Sequence, residues 1–239
     1  MGDDMKKYKA IFFDLDGTLL PMDLNEFMGA YYKELCLSLV KYGLDEEKIM
    51  AAMREGVMAM IYNDGSELNS NKFWEQFLKN TGIPEDTIYE ETEYFYSHEF
   101  HKARAVTGEN PLARAAIEAA GLDGRTVVLS TNPLFPYTAQ LSRISWIGLK
   151  EEDFALITSY ENSSFCKPNP KYFLEICKKL SLEPGECLLI GNDVRDDMLA
   201  AQGAGIDGYL VTNWAIYRGK EWNGPQGTFS DMIDMLKAL

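Results

Sequence analysis

The hydrophobic residues of the chain follow two different patterns, which change at about residue 107. Within residues 21–106, apolar side chains recur three and four positions apart, which is the spacing of amphipathic helices. Asp23 or Asn25 is expected to cap the first helix, and Gly43 is expected to end it. The pattern predicts helices over 24–42, 45–62, 71–81 and 84–101.

Short apolar runs alternate with helical patterns in the remainder of the chain. An apolar, aromatic run over 10–13 predicts a buried strand ahead of the helical segment. Further strands are predicted over 126–129, 154–158, 187–190 and 207–211, and helices over 111–120, 135–147, 170–180, 195–204 and 230–238. Strands that are separated by helices indicate a parallel sheet with helices on both faces. The predicted fold class is therefore α/β, with residues 21–106 inserted after the first strand.

Composition and charge narrow the classes of partner. The chain has 239 residues, 46% of them hydrophobic, which suffices for a sizeable core. The net charge of −14 argues against nucleic acid and against an anionic membrane surface as partners. The four cysteines do not have the spacing of a zinc site. No stretch, the N-terminus included, has an apolar run long enough for a signal peptide or a membrane-spanning helix. We therefore expect a soluble, cytoplasmic protein with free thiols.

Candidate chemistry begins where the first strand ends. Strand alternation sends the carboxylates of Asp14 and Asp16 to one side and Leu15 to the other. Two carboxylates at the end of a buried strand repel each other, so they are unfavourable unless a cation lies between them. The pair indicates a divalent metal with a nucleophile or an acid/base pair. The simpler alternative is an ordinary Asp-Gly turn after a strand.

Polar residues also follow other predicted strands. Thr131 and Asn132 come after the second strand, and Asn192 and Asp193 come after the fourth. Lys167 lies in a proline-containing loop after the third strand. Ligands of open parallel sheets bind beyond the carboxyl ends of the strands, so these side chains are expected to meet in one crevice. The hard oxygen ligands in this set favour Mg²⁺ over zinc.

These residues belong to four short motifs that occur in order along the chain. The motifs are Asp14-Leu15-Asp16-Gly17-Thr18, Ser130-Thr131-Asn132, Lys167-Pro168-Asn169-Pro170, and Gly191-Asn192-Asp193 with Asp197 four residues later. Each motif alone is weak, whereas the ordered set is specific. By these motifs the sequence resembles the haloacid dehalogenase (HAD) superfamily, on its phosphatase side. The resemblance implies a Rossmann-like core domain of residues 1–20 and 107–239 and a helical cap domain of residues 21–106.

The resemblance also implies a role for each motif residue. Asp14 would be the nucleophile that forms an aspartyl-phosphate, and Asp16 would be the acid/base that serves the leaving oxygen and then the attacking water. A Mg²⁺ ion would be held by the Asp14 carboxylate, the Asp16 backbone carbonyl and Asp193. Because the true dehalogenases of the family lack an acid at the position of Asp16, a C–halogen substrate is not expected. Thr131 and Lys167 would also be catalytic, because they would hold the transferring phosphoryl oxygens, and Thr131, Asn132 and Lys167 would bind the substrate.

Two of the motifs leave a choice of residue. The fourth motif of the family usually begins Gly-Asp but reads Gly-Asn-Asp here, so we expect Asp193 as the metal ligand and Asn192 behind it. Asp197 is expected either to support these ligands or to cap the next helix. At the second motif, Thr131 is preferred to Ser130 as the hydroxyl donor.

The predicted function is that of a Mg²⁺-dependent phosphatase that hydrolyses a small cytosolic phosphomonoester. A phosphomutase or another phosphotransferase is the alternative because it shares the motifs, and a non-catalytic binding protein is a third hypothesis. The expected partner is a small phosphorylated metabolite, and the chain is expected to be a monomer or a homodimer. Most apolar cap residues are expected to pack between helices, and Lys33, Arg54 and Lys72 are the cap cations that could reach a substrate.

Overall fold

The β-strands form one parallel sheet in which the first strand lies near the middle. The structure, a computed structural model, describes residues 8–239; residues 1–7, which the prediction assigns to the core domain, lie outside the described residues. The strands are β1 (Ala10–Phe13), β2 (Thr126–Leu129), β3 (Leu156–Ile157), β4 (Cys187–Gly191), β5 (Asp207–Val211) and β6 (Gln226–Gly227). Their order is β3-β2-β1-β4-β5-β6, and all neighbouring strands are parallel. The predicted fold class is confirmed.

Four α-helices lie within residues 21–106, as the pattern predicts. They are α1 (Leu24–Leu39), α2 (Glu46–Ile61), α3 (Asn69–Thr81) and α4 (Glu85–Ser97). Asp23 caps α1, because its side chain accepts the backbone N–H groups of Asn25 and Glu26. The helix ends at Leu39 and not at residue 42, since Val40–Tyr42 forms a 3₁₀ turn. No helix within residues 8–239 has the length and apolar character needed to cross a bilayer.

The remaining helices cover both faces of the sheet. They are α5 (Ala113–Ala120), α6 (Tyr137–Trp146), α7 (Pro170–Leu180), α8 (Ala200–Ala204) and α9 (Phe229–Ala238). On one face, Ile11 and Phe13 of β1 join a hydrophobic cluster with residues of α5, α6 and α9. On the other face, Ala10 and Phe12 join residues of α7 and α8. This alternation is what a strand that is buried on both sides produces.

One predicted helix takes a different local form. The pattern predicts a helix over 195–204, whereas Val194–Leu199 forms a π-helix that α8 then continues. The backbone N–H of Met198 donates to the carbonyl of Asp193, five residues earlier in the chain. Helical periodicity alone does not reveal this wider turn, which begins at the fourth motif.

Two strands differ from the prediction. β3 is limited to Leu156–Ile157 and does not span 154–158. β6 is absent from the prediction, since Gln226–Gly227 contains neither a β-branched nor an aromatic residue. It forms only through pairing with Leu210 and Val211 at the edge of the sheet.

The helical segment joins the sheet through two connections that run side by side. Met22 and Thr107 form an antiparallel bridge, and the Gly108 N–H donates to the Pro21 carbonyl at 2.7 Å. A 3₁₀ helix, Glu99–Val106, leads from α4 to the second connection. The ring of Tyr31 in α1 packs against Phe135, which follows β2, with ring centroids 5.1 Å apart. The helical segment therefore lies over the carboxyl end of the sheet.

Candidate active site

A cavity of about 260 Å³ opens between the helical segment and the carboxyl ends of β1, β2 and β4. Because β1 lies between β2 and β4, this is the point where the strand order reverses and where such sheets bind ligands. The charged side chains at and beneath the sheet side of the cavity form the charged floor: Asp14, Asp16, Arg143, Lys167, Asp193, Asp196, Asp197 and Arg218. The apolar residues of α1 and α2 that line the opposite side form the apolar wall: Leu24, Met28, Tyr31, Tyr32, Met53 and Val57.

Asp14 is a buried carboxylate at the centre of the charged floor. Its Oδ1 accepts a hydrogen bond from Lys167 Nζ at 2.8 Å, and its Oδ2 lies 3.1 Å from the hydroxyl of Thr18. Burial raises the pKa of Asp14, and the negative charge of Asp16 raises it further. The positive charge of Lys167 lowers this pKa but does not cancel the rise. A cation bound at this carboxylate would oppose the shift, as Lys167 does.

Lys167 is a buried cation that two carboxylates share. Its Nζ donates to Asp14 Oδ1 and, at 2.6 Å, to Asp197 Oδ1. Burial works to lower the pKa of Lys167, but the charges of Asp14 and Asp197 outweigh burial and raise this pKa above its ordinary value. Lys167 therefore stays protonated at the edge of the cavity, where its charge can act on an anion.

Asp197 connects Lys167 to the turn that follows β4. Its Oδ2 accepts the backbone N–H groups of Asn192 at 3.1 Å and of Asp193 at 3.0 Å. Burial raises the pKa of Asp197 to about 7; the charge of Asp14 adds to the shift, and Lys167 opposes it. Asp193, and not Asp197, caps the helix in this turn. Of the two roles expected for Asp197, we therefore keep the support of the metal-binding residues.

Two glycines of the motifs make room for polar side chains. Gly17 has a φ of +83°, and a Cβ there would lie 2.3 Å from Asn192 Nδ2. The Asn192 Oδ1 in turn lies 3.1 Å from the hydroxyl of Thr18. At Gly191, a Cβ would lie 2.5 Å from Asp197 Oδ2. Gly17 therefore lets the first and fourth motifs meet, and Gly191 makes room within the fourth motif; no other residue type fits either position without displacement.

Asp193 lies at the rim of the floor beside an arginine that the motifs do not include. Its Oδ1 accepts the backbone N–H groups of Arg195 and Asp196, both at 2.9 Å. Its Oδ2 accepts a hydrogen bond from Arg218 Nε at 2.7 Å. Arg218 has a left-handed φ of 45°, and 37% of its side chain is exposed. Asp193 thus already has one cationic neighbour, on a side chain that solvent reaches.

Asp16 is paired with a fully buried arginine. Nη1 of Arg143 donates to Asp16 Oδ2, and Nη2 donates to Gln140 Oε1. The guanidinium carbon lies 4.5 Å from the centre of the Phe135 ring. Asp16 Oδ1 is buried and has no hydrogen-bond partner among residues 8–239. Arg143 therefore holds one oxygen of Asp16, while the other retains its full capacity to accept a hydrogen bond.

The two hydroxyls of the second motif lie in different surroundings. Ser130 Oγ donates to the Phe13 carbonyl at 3.2 Å, so this hydroxyl is used within the sheet. Thr131 and Asn132 line the cavity. Asn132 Oδ1 accepts the backbone N–H of Lys167 at 3.2 Å. The fold thus brings Thr131, and not Ser130, to the cavity, and it ties the second motif to the third.

The charged floor offers oxygen atoms of the kind that hold a divalent metal ion. No group of three His, Cys, Asp or Glu side chains in residues 8–239 is arranged to hold a metal by itself. The available donors are the carboxylates of Asp14 and Asp193 and the backbone carbonyl of Asp16, all hard oxygen ligands. The floor sets five carboxylates against three cations, so its net charge is negative. A metal at this place would share Asp193 with Arg218.

Two arginines of the floor were missed at the sequence level. Arg143 lies on the buried side of α6, three residues after Gln140 and one before Ile144. An arginine at an apolar position of a helical pattern is a signal that could have identified it. Arg218 lies in an irregular loop, where no periodicity distinguishes one polar residue from another.

The cap cations named from the sequence do not reach the cavity. Lys33 and Arg54 are exposed and are not among the residues that line it. Lys72 lies 3.8 Å from Glu67, also away from the cavity. Instead, apolar side chains of the cap line it, among them Met28 and Val57, although the pattern predicts packing between helices for most of these residues.

Comparison with known proteins places most of the chain in one family. A family model described as haloacid dehalogenase-like hydrolase matches residues 8–205. A phosphoglycolate phosphatase of Mannheimia succiniciproducens is 25% identical over 235 residues, which cover 98% of this chain and 99% of that protein. A phosphoglycolate phosphatase of Nitrosospira multiformis is 25% identical over 207 residues, covering 85% of this chain and 82% of that protein.

A solved structure shows the same fold. The crystal structure of an HAD phosphatase from Thermococcus onnurineus has a TM-score of 0.58 and 19% identity, and it covers 95% of this chain and 97% of that one. The predictions of the family and of a hydrolytic enzyme are confirmed by the match over residues 8–205. The chain belongs to the haloacid dehalogenase-like hydrolases.

Proposed function

We propose that the chain is a Mg²⁺-dependent phosphatase that hydrolyses a small cytosolic phosphomonoester through an aspartyl-phosphate intermediate. The observation that carries the proposal is the position of Asp14, a buried carboxylate at the cavity floor that is held by Lys167 and adjoins Asp16. The two phosphoglycolate phosphatases that resemble the chain along most of its length support a phosphate ester as substrate.

Asp14 would be the nucleophile. One of its carboxylate oxygens forms a bond to phosphorus while the bond between phosphorus and the ester oxygen breaks, and Asp16 gives a proton to the departing oxygen. Asp16 then takes a proton from the water that attacks the phosphorus, which releases inorganic phosphate and restores Asp14. The ion pair with Arg143 supports these roles, because it orients Asp16 and leaves its Oδ1 without another partner.

Lys167 and Thr131 would hold the phosphoryl oxygens, with Asn132 beside them. Lys167 offers a permanent positive charge, and Thr131 offers a hydroxyl at the cavity surface. A Mg²⁺ ion held by Asp14, Asp193 and the backbone carbonyl of Asp16 would neutralise charge on the phosphoryl group. Phosphoryl transfer depends mainly on such positioning and neutralisation, and the floor offers groups for both.

The helical segment of residues 21–106 would act as a cap domain over a core domain of residues 8–20 and 107–239. Its two connections lie next to each other at Pro21 and Gly108, so a rotation there moves the whole segment as one body. Closure over the cavity would exclude water and add contacts to the substrate. The net charge of −14 argues against nucleic acid and an anionic membrane surface as the partner. The chain would act as a monomer or homodimer.

The test is release of inorganic phosphate from p-nitrophenyl phosphate, with Mg²⁺ and with EDTA. We expect release that requires Mg²⁺ and that falls by about 10³-fold or more in Asp14→Asn. Asp234→Asn, an exposed aspartate on α9, is the matched control and should behave as the wild type. Retained turnover in Asp14→Asn would show that the nucleophile is assigned wrongly. Conversion of hexose phosphates without phosphate release would instead indicate the phosphomutase alternative.

A further inference from the structure

We propose that the alcohol part of the substrate is apolar, and aromatic by preference, and that it does not carry a carboxylate as glycolate does. The inference rests on the proposed phosphatase function and names the substrate class of the same site. Its basis is the apolar wall, which lies opposite the charged floor across the cavity. A phosphate ester bound with its phosphoryl group on the floor places its alcohol part against this wall.

Each of the two cap helices contributes one stripe to the apolar wall. Leu24, Met28 and Tyr32 follow each other at intervals of four residues on α1, and Met53 and Val57 do so on α2, so each set lies along one helix face. All of these except Met53 are only half-buried. Apolar stripes of this kind usually pack into a core, but here they border a cavity. The wall therefore keeps apolar surface that a ligand can cover.

The distribution of charge separates the two ends of a bound ester. Among the described residues that line the cavity, the cations are Lys167 and Arg218, and both belong to the floor. Lys167 is shared by two carboxylates, and Arg218 is paired with Asp193. A carboxylate on the alcohol part would lose its water against apolar side chains and would find no cation on the wall. Desolvation of a charge without a partner is strongly unfavourable.

The composition of the wall favours an aromatic ring over a polar sugar. Thioether sulfurs such as those of Met28 and Met53 interact favourably with ring edges. Tyr31 on the wall and Phe135 at the base of the cavity add aromatic surface, and Tyr31 uses its hydroxyl in a 2.9 Å hydrogen bond with Tyr96. The wall thus offers dispersion and ring contacts but few groups that could satisfy the hydroxyls of a sugar.

Three esters of primary alcohols test the proposal: benzyl phosphate, ethyl phosphate and phosphoglycolate. Since all three leaving groups are primary alkoxides, differences in kcat/KM report mainly the contacts of the alcohol part. We expect kcat/KM for benzyl phosphate to exceed that for ethyl phosphate by at least about tenfold, and that for phosphoglycolate by more. Hydrolysis of phosphoglycolate with an equal or higher kcat/KM than benzyl phosphate would overturn the proposal.

A cation placed on the wall should reverse the preference. Val57→Arg puts a guanidinium at the cavity, and we expect it to raise the ratio of kcat/KM for phosphoglycolate to that for benzyl phosphate by at least about tenfold. Met58→Arg is the matched control, because Met58 lies next to Val57 on α2 but is 40% exposed and does not line the cavity. This control should leave the ratio unchanged.

A second wall variant covers the case in which Val57→Arg does not fold. Tyr32→Ser removes a half-buried ring from the wall and should lower the preference for benzyl over ethyl phosphate by about threefold or more. Tyr62→Ser, at a cap tyrosine that is 77% exposed, should leave that preference as it is. An unchanged preference in Tyr32→Ser would overturn the aromatic part of the proposal.

Binding of two phosphonates separates this inference from the proposed function, because phosphonates are not hydrolysed. Phenethylphosphonate and phosphonopropionate imitate benzyl phosphate and phosphoglycolate, and calorimetry with Mg²⁺ present measures their Kd values. Binding of phenethylphosphonate that is tighter by about tenfold or more supports the inference even if no ester is turned over, in which case only the proposed function fails. Equal or weaker binding of phenethylphosphonate overturns the inference.

Discussion

The charged floor and the apolar wall face each other across one cavity, but different interactions hold them. On the floor, Lys167 serves Asp14 and Asp197, and Arg143 serves Asp16, so each buried charge depends on a particular partner. On the wall, contacts are apolar and spread over many atoms. Removal of one member of a buried ion pair leaves an uncompensated charge, whereas a change in apolar packing has a graded effect. Substitutions on the two sides should therefore differ in severity.

Lys167→Met is expected to have the largest effect. It leaves Asp14 and Asp197 buried without their shared cation, so the free energy of unfolding should fall by about 3–5 kcal/mol. The value of kcat should fall by at least about 10²-fold, because a phosphoryl oxygen loses its cationic partner. Urea unfolding and phosphate release measure the two effects. Lys178→Met, an exposed lysine of α7, is the control. An unaltered kcat would restrict Lys167 to a structural role.

Arg143→Met should weaken proton donation more than any other step. Without the ion pair, Asp16 is no longer held in place, so kcat for an alkyl ester such as ethyl phosphate should fall by about 10- to 100-fold. The kcat for p-nitrophenyl phosphate should fall much less, since its leaving group departs without a proton.

The ratio of the two kcat values distinguishes positioning of Asp16 from a general loss of structure. A purely structural effect of Arg143→Met would lower both values to the same extent, and that result would contradict the positioning role. Arg104→Met, at an exposed arginine of the described cap, should change neither value.

Tyr31→Phe tests the wall with a small change. The variant keeps the ring and removes the hydroxyl that lies 2.9 Å from the Tyr96 hydroxyl, so the free energy of unfolding should fall by about 1 kcal/mol. The value of kcat/KM for benzyl phosphate should change by less than about threefold, because the apolar contact remains. Urea unfolding and steady-state kinetics measure these effects, with Tyr62→Phe as the exposed control. A loss of stability as large as that in Lys167→Met would remove the contrast between wall and floor.

A partly exposed ion pair outside the cavity should have the smallest effect. Partial burial works to raise the pKa of Asp153. The hydrogen bonds from Arg114 and from the backbone N–H of Lys150, together with the charges of both residues, outweigh burial and hold that pKa below its ordinary value. Because the folded-state pKa of Asp153 is lowered, ionised Asp153 stabilises the folded state. This stabilisation is complete above the unfolded-state pKa of about 3.9, and it is lost as the pH falls through the folded-state pKa. Because 42% of the Arg114 side chain is exposed, Arg114→Gln should cost less than about 1 kcal/mol at neutral pH.

The pH dependence of this stabilisation is measured by urea unfolding. Wild type and Arg114→Gln are compared at neutral and at strongly acidic pH. The difference in unfolding free energy between the two proteins should be present at neutral pH and should vanish below the folded-state pKa of Asp153. A difference that is the same at both pH values would show that Arg114 stabilises the fold by packing and not by its charge.

Local patterns predicted the elements whose residues form a strong local signal. β1 and β2 have the predicted bounds because each is a short apolar run. α7 also has its predicted bounds, because a proline marks its start and the helical spacing of apolar residues stops at its end. β6 and the π-helix at Val194–Leu199 were missed because pairing with a neighbouring strand and the turn at Asp193 produce them. In the candidate site, Asp14 and Lys167 were identified by motif, whereas Arg143 and Arg218 belong to none.

The sequence by itself determined the family and the fold class, and it supplied the motif residues that we propose for the site, since motifs and hydrophobic period depend on residues close together in the chain. Only the tertiary structure decided which cation meets which carboxylate: Arg143 reaches Asp16 from 127 positions away, and Lys167 reaches Asp14 from 153. It also decided that the apolar stripes of α1 and α2 line a cavity. Pairing across such separations and the exposure of one helix face depend on how distant segments pack, and no local pattern encodes this.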